Sequence, residues 1–166
     1  MTKRQVFYSF HFDNDVMRVQ QIRNIGVIEG NEPVSKNDWE EVKKKGDTSI
    51  KKWIDDNMKY KQCVVVLIGS DTANRPWVDY EIRKGWNDGK AALGIYIHNI
   101  KCAIEVRSGK SGTCAKGANP FQQISMSNGG KLSDYVQCYN PDVNDAYNDI
   151  AQNLNSWIEA AINARQ

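Results

Sequence analysis

Six consecutive apolar residues, Cys63-Val-Val-Val-Leu-Ile68, constrain the fold of this chain more than any other segment. They are too few and too β-branched for a buried helix, and Gly69-Ser70 bounds them. They therefore predict a strand covered on both faces, as in a parallel sheet flanked by helices. The next segment, Asn74-Arg-Pro-Trp-Val-Asp-Tyr-Glu-Ile82, reads as a loop leading into a helix that carries Glu81. Ligand sites in open parallel sheets form where loops leave the carboxyl ends of the strands, which makes Glu81 the first candidate for chemistry. The competing reading is a solvated helix carboxylate paired with Arg83 or Lys84.

The rest of the chain alternates in the same way. Val6-Phe-Tyr-Ser-Phe-His-Phe12 is dense in aromatic and β-branched residues and predicts the first strand. Asp15 is placed to cap a helix from Val16 towards Asn24. Val27-Ile28 is the one candidate for a second strand. Asp38 to Val42 starts a short helical piece, and Asp47 is expected to cap a helix with Ile50, Trp53, Ile54 and Met58 on one face. Val78, Ile82 and Trp86 recur at four-residue spacing on the Glu81 helix, and Leu93 to Ile97 is a further buried strand. A Gly-, Ser-, Asn- and Lys-rich segment from about His98 to Lys131 reads as a long loop. After a short strand at Val136 to Tyr139, Asp142 is expected to cap the clearest helix, with an apolar stripe from Val143 to Ile162. The expected fold is α/β: a doubly wound, flavodoxin-like, mostly parallel sheet with helices on both faces, built as one domain over 1–166.

Composition removes several function classes. Lys and Arg number 22 against 20 Asp and Glu, a net charge of +2, and Lys43-Lys44-Lys45 directly follows Glu40-Glu41. Such compensated charge is a solvated helix face and argues against a nucleic-acid surface. No apolar stretch approaches the roughly 20 residues of a membrane span, and the amino terminus lacks a signal-peptide pattern, so a cytoplasmic protein is expected. Cys63, Cys102, Cys114 and Cys138 have no regular spacing and read as free thiols.

Several familiar arrangements fail on geometry. No Gly-x-Gly-x-x-Gly follows the first strand, and Gly109-Lys110-Ser111 lacks the glycine a phosphate loop needs five positions earlier. His98, Cys102 and Cys114 have no fourth ligand motif for zinc, so no metal is expected. Ser9 and His11, alternating on one strand, would lie about 6.6–6.8 Å apart, too far for a nucleophile and its base. Ser9, His11 and Asp13 either line a ligand crevice at the end of the first strand or cap the neighbouring helix.

Phe7-Tyr-Ser-Phe-His-Phe12, Leu67-Ile-Gly-Ser70, Asn74 to Ile82 and Gly117-Ala-Asn-Pro-Phe121 together resemble the TIR-like family that includes the ThsB proteins of Thoeris anti-phage defence. The most specific part, Trp77-Val-Asp-Tyr-Glu81, resembles the Ser/Trp-x-x-x-Glu region of TIR domains, whose glutamate serves NAD cleavage. The resemblance implies that Glu81 is catalytic and that Phe10, His11 and Asp13 belong to the nucleotide pocket. Trp77 and Tyr80 either flank the ligand or belong to the core. It also implies an enzyme that takes NAD+ as substrate, without a bound cofactor, and makes an ADP-ribose-type nucleotide, linear or cyclic. A phage-derived trigger, self-assembly and a separate effector that senses the product come with that implication. The alternatives are a non-catalytic TIR-like interaction module and a nucleotide- or flavin-binding domain. A glutamate of ordinary pKa, about 4.3, is expected to act ionised at neutral pH.

Overall fold

A computed structural model describes residues 3–26, 29–30 and 36–166. The apolar run is β3, Cys63–Ile68, buried at all six positions and central in a five-stranded sheet. Its neighbours are β1 (Gln5–Ser9) and β4 (Ala91–Tyr96), and the outer strands are β2 (Glu29–Gly30) and β5 (Cys138–Tyr139). All pairings are parallel: Val6 lies opposite Cys63 and Ser9 opposite Val66, while Cys63 to Ile68 runs beside Ala91 to Tyr96. The order β2-β1-β3-β4-β5 is the flavodoxin-like one. Its winding reverses between β1 and β3, and sheets of this kind place their ligand crevice at such a reversal, outside the carboxyl ends of the strands. The candidate strand Val27-Ile28 lies outside the described residues.

Strand alternation sorts the core into two layers. Val6, Tyr8, Cys63, Val65, Leu67, Leu93 and Ile95 face α1 (Phe12–Arg23) and α6 (Ala146–Arg165), which contribute Val19, Ile22, Ile150, Leu154, Ile158 and Ile162. On the other side Phe7, Val64, Val66 and Ile68 meet Ile50, Ile54 and Met58 of α3 (Asp47–Met58) and Val78 and Ile82 of α4 (Pro76–Asn87). Each fully buried aliphatic side chain contributes about 1.5–3 kcal/mol, so these layers dominate the stability. One glycine sets the spacing of α4. A Cβ on Gly85 would lie 2.4 Å from a methyl carbon of Val64, so the helix rides unusually close to β3 at that turn.

Helix starts differ from the sequence expectation. α1 begins at Phe12, a turn before Val16, with His11 at the cap position, and Asp15 is a buried residue of the first turn rather than the cap. Asp47 opens α3 behind Gly46, whose φ of 92° suits glycine. α6 starts at Ala146. Asp142 instead closes a turn by accepting the Asn144 amide at 2.8 Å, which leaves Val143 67% exposed and outside the apolar stripe. The short helix α2 spans Lys36–Lys44.

The segment from His98 to Lys131 is built, not structureless. It holds α5 (Ala103–Arg107), a 3-10 turn over Pro120–Gln123 and an antiparallel bridge between Ser125 and Lys131. Phe121 anchors it in the core with no exposed surface. All four cysteines are free, and among the described residues no helix is long and apolar enough to cross a membrane.

Candidate active site

The close approach of α4 at Gly85 carries the residue one turn earlier on the same helix face, Glu81, down to the sheet. There Ser9, the last residue of β1, donates its hydroxyl to Glu81 Oε1 at 2.8 Å. Ser9 is fully buried and Glu81 is 8% exposed. Among the described residues no cation balances the carboxyl. Arg83 is held by Asp79 at 2.7 Å and Lys84 by Asp88 at 2.9 Å, so the solvated ion pair weighed from the sequence does not form.

Burial pushes the Glu81 pKa up to about 8, and the Ser9 hydroxyl pulls it only partly back. The expectation of an ionised Glu81 at neutral pH is therefore corrected: burial favours the protonated carboxyl there. A neutral carboxylic acid on a dry wall is a sensitive group, because a cation brought beside it restores the charged form.

Across the crevice mouth, His11 is half-buried, and its Nδ1 has no hydrogen-bond partner among the described residues. Burial and the nearby Arg75 guanidinium lower its pKa, keeping the imidazole neutral at pH 7. Arg75 in turn is held by Asp71, whose other carboxylate oxygen accepts from Asn74 at 2.8 Å. The β3–α4 loop and the end of β1 therefore meet at His11, and Ser9 bonds to Glu81 instead of His11. Asp13 is exposed on the first turn of α1. Phe10 stacks on Phe12 with ring centres 6.3 Å apart and packs against the α1 and α6 layer. Tyr80 points away from Ser9: its hydroxyl donates to Asp55 of α3 at 2.9 Å. Trp77 meets the Tyr80 ring edge-on at 5.8 Å, in the α3 and α4 layer. Among the described residues no group of three or more His, Cys, Asp or Glu side chains could hold a metal ion.

Two buried charges were not foreseen from the sequence, Arg18 and Asp15, the latter read there as a helix cap. Asp15, 1% exposed, presses against β3, since a Cβ on Gly69 would fall 2.2 Å from its Oδ2. Neither of its oxygens has a hydrogen-bond partner among the described residues. Burial raises its pKa to about 6 against the opposing pull of Arg18 and the nearby Thr72 hydroxyl. Arg18 lies 3.7 Å from Asp15 and donates to the carbonyls of Ile100 at 2.8 Å and Gly112 at 2.7 Å. The sequence signal was an Asp-x-x-Arg spacing on one helix face, which reads equally well as a surface pair. The same far loop reaches the crevice again at Gly117, where a Cβ would sit 2.0 Å from the Gly69 carbonyl oxygen.

A parallel sheet of this strand order, with a buried glutamate from the helix after β3 meeting the end of β1, defines a flavodoxin-like domain with a ligand crevice at its topological switch point. A family model described as "Thoeris protein ThsB, TIR-like domain" matches residues 7–101, which include both Ser9 and Glu81. A relative from Bacillus cereus (strain MSX-D12), named "Putative cyclic ADP-D-ribose synthase ThsB1", is 36% identical over 144 residues, covering 81% of this chain and 71% of the relative. The chain belongs to the ThsB TIR-like family.

Proposed function

We propose that this protein cleaves the bond between nicotinamide and ribose in NAD+, with Glu81 as the catalytic carboxylate, and converts the rest of the molecule to an ADP-ribose-type nucleotide. The observation that carries this reading is the burial of Glu81 against Ser9 at the switch-point crevice. The name of the Bacillus cereus relative supports the cyclic product.

The chemistry suits one carboxyl group. Nicotinamide bonded through its ring nitrogen is already cationic, so it departs with the bonding electrons as a neutral molecule and needs no general acid. An ordinary glycoside does need one. The anomeric carbon turns positive as that bond breaks, and a fixed carboxylate beside it stabilises the charge or captures the sugar as a transient ester. If the lone pair of an adenine nitrogen then forms the new bond, the product is cyclic; if water attacks, ADP-ribose forms and a proton is released. Burial favours the neutral form of Glu81, and the cationic nicotinamide of the arriving substrate favours its ionised form. Ionisation therefore accompanies the substrate.

In this reading Phe10, His11 and Asp13 form the β1 side of the nucleotide pocket, and NAD+ is a substrate with no resident cofactor beside it. Trp77 borders the pocket, whereas Tyr80, tied to Asp55, serves the contact between α3 and α4. Activation by a phage-derived component, assembly of several copies and a separate product-sensing effector belong to the same proposal, and they rest on the family relationship. The test is release of free nicotinamide from NAD+ by the purified protein, alone and with lysate of infected cells. Glu81→Gln is expected to lower kcat by about a hundredfold or more. Undiminished turnover in that variant removes Glu81 from the mechanism.

A further inference from the structure

We propose that Ser9 is a positioning residue for this reaction: its buried hydroxyl, fixed at the last residue of β1, holds one oxygen of Glu81 and leaves the other to face the sugar. The inference rests on the proposed role of Glu81 and adds to it the group that sets its orientation.

Three observations support it. The Ser9 hydroxyl donates to Oε1 at 2.8 Å, and no other hydrogen bond to the Glu81 carboxyl is made among the described residues. Ser9 has no exposed surface, and its backbone is held in register opposite Val66 of β3, so the strand that carries the donor is fixed relative to the sheet. The helix side of the pair is equally constrained, because Gly85 keeps α4 against Val64 one turn further on. A carboxyl group otherwise free to rotate about its last torsions is thereby held on one side.

The groups facing Glu81 are few. β1 contributes Ser9, and burial of the site is the other influence on the carboxyl. On α4 itself Arg83 and Lys84 are engaged with Asp79 and Asp88, and at the crevice mouth Arg75 is engaged with Asp71 beside a neutral His11. Among the described residues Ser9 is thus the one group that offsets the effect of burial on Glu81. A hydrogen bond to the charged form favours that form, so loss of the hydroxyl moves ionisation of Glu81 to higher pH.

The experiment compares Ser9→Ala and Ser9→Thr with wild type by two readouts. The first needs no turnover: a carbon-13 NMR titration of glutamate carboxyls in the substrate-free protein, with the Glu81 signal identified by its loss in Glu81→Gln. Ser9→Ala is expected to raise the Glu81 midpoint by roughly one pH unit, and Ser9→Thr, which keeps the hydroxyl, to stay near wild type. The second is the pH profile of nicotinamide release by the lysate-activated protein. Ser9→Ala is expected to shift the acid limb of kcat/KM in the same direction and to lower kcat about tenfold to a hundredfold with KM within twofold. General loosening of the core would lower the melting temperature without moving that limb. A folded Ser9→Ala protein with an unmoved NMR midpoint and an unmoved limb overturns the inference. If Glu81→Gln retains turnover while the Ser9→Ala titration still shifts, the proposed function fails and the coupling of the two residues stands.

Discussion

At the scale of single residues, a buried acid ties stability to pH. Glu81 binds its proton with a pKa of about 8 when folded and near the ordinary value of about 4.3 when unfolded. Between those limits the native state holds one proton more than the unfolded chain, so stability falls as pH rises. The contribution is complete below about pH 4.3 and is lost through pH 8. Asp15, raised to about 6, adds the same sign over a narrower window, from about 3.9 to 6. Glu81→Gln should remove a slope of at most about 1.4 kcal/mol per pH unit, seen as urea midpoints that no longer drop between pH 6 and pH 8. An unchanged slope would mean that Glu81 is ionised in the folded protein. None of this was legible in the sequence. Glu81 sits two and three positions before charged neighbours that suggest a wet helix face, and its hydrogen-bond partner lies 72 positions away. The candidate carboxyl could be named from the sequence, but its protonation state depends on a packing distance that only the fold supplies.

At the scale of elements, the decisive dimension is the gap between α4 and β3. The missing side chain at Gly85 allows it, since a methyl there would overlap Val64 Cγ2. Gly85→Ala gains about 0.8–1 kcal/mol of helix propensity but overpacks the interface at a typical cost of 1–3 kcal/mol. The expected balance is a net loss of stability, together with reduced nicotinamide release, because the same displacement draws Glu81 away from Ser9. Adding Val64→Ala clears the overlap, so the double variant should recover activity relative to Gly85→Ala alone. Strict additivity of the two changes, measured by a double-mutant cycle, would argue against the contact. Elements carrying their own period were legible: six buried residues in a row for β3, Val78 and Ile82 for α4, and the Ile150, Leu154, Ile158 stripe of α6. The first residues of α1, α3 and α6 were not, because Asp15, Asp47 and Asp142 all resemble caps in sequence, while a buried helix turn, a glycine and a tight turn claim those positions.

At the scale of the whole molecule, order in the far loop depends on one cation from the other end of the chain. The sequence from His98 to Lys131 carries no period of its own, and its composition suggests mobility. Its course is set by Phe121 in the core and by Arg18, which crosses from α1 to the carbonyls of Ile100 and Gly112 and approaches Glu105 at 3.5 Å. Replacing Arg18 with Met keeps much of the side-chain volume but takes one donor from each of two carbonyls and leaves Asp15 without its neighbouring cation. Breaking one half of a buried pair in this way costs about 3–5 kcal/mol. Asp15→Asn in the Arg18→Met background removes the orphaned carboxyl and should return part of that loss, whereas in both variants Ile100 lacks the guanidinium donor and Gly112 keeps only the Cys102 amide, at 2.9 Å. Hydrogen exchange separates the two effects: the amides of Cys102, Val106 and Ser108, bonded within the loop, should exchange faster in both variants, while the urea midpoint recovers only in the double. Exchange rates at those three amides equal to wild type in Arg18→Met would show that the loop holds its course without the cross-tie.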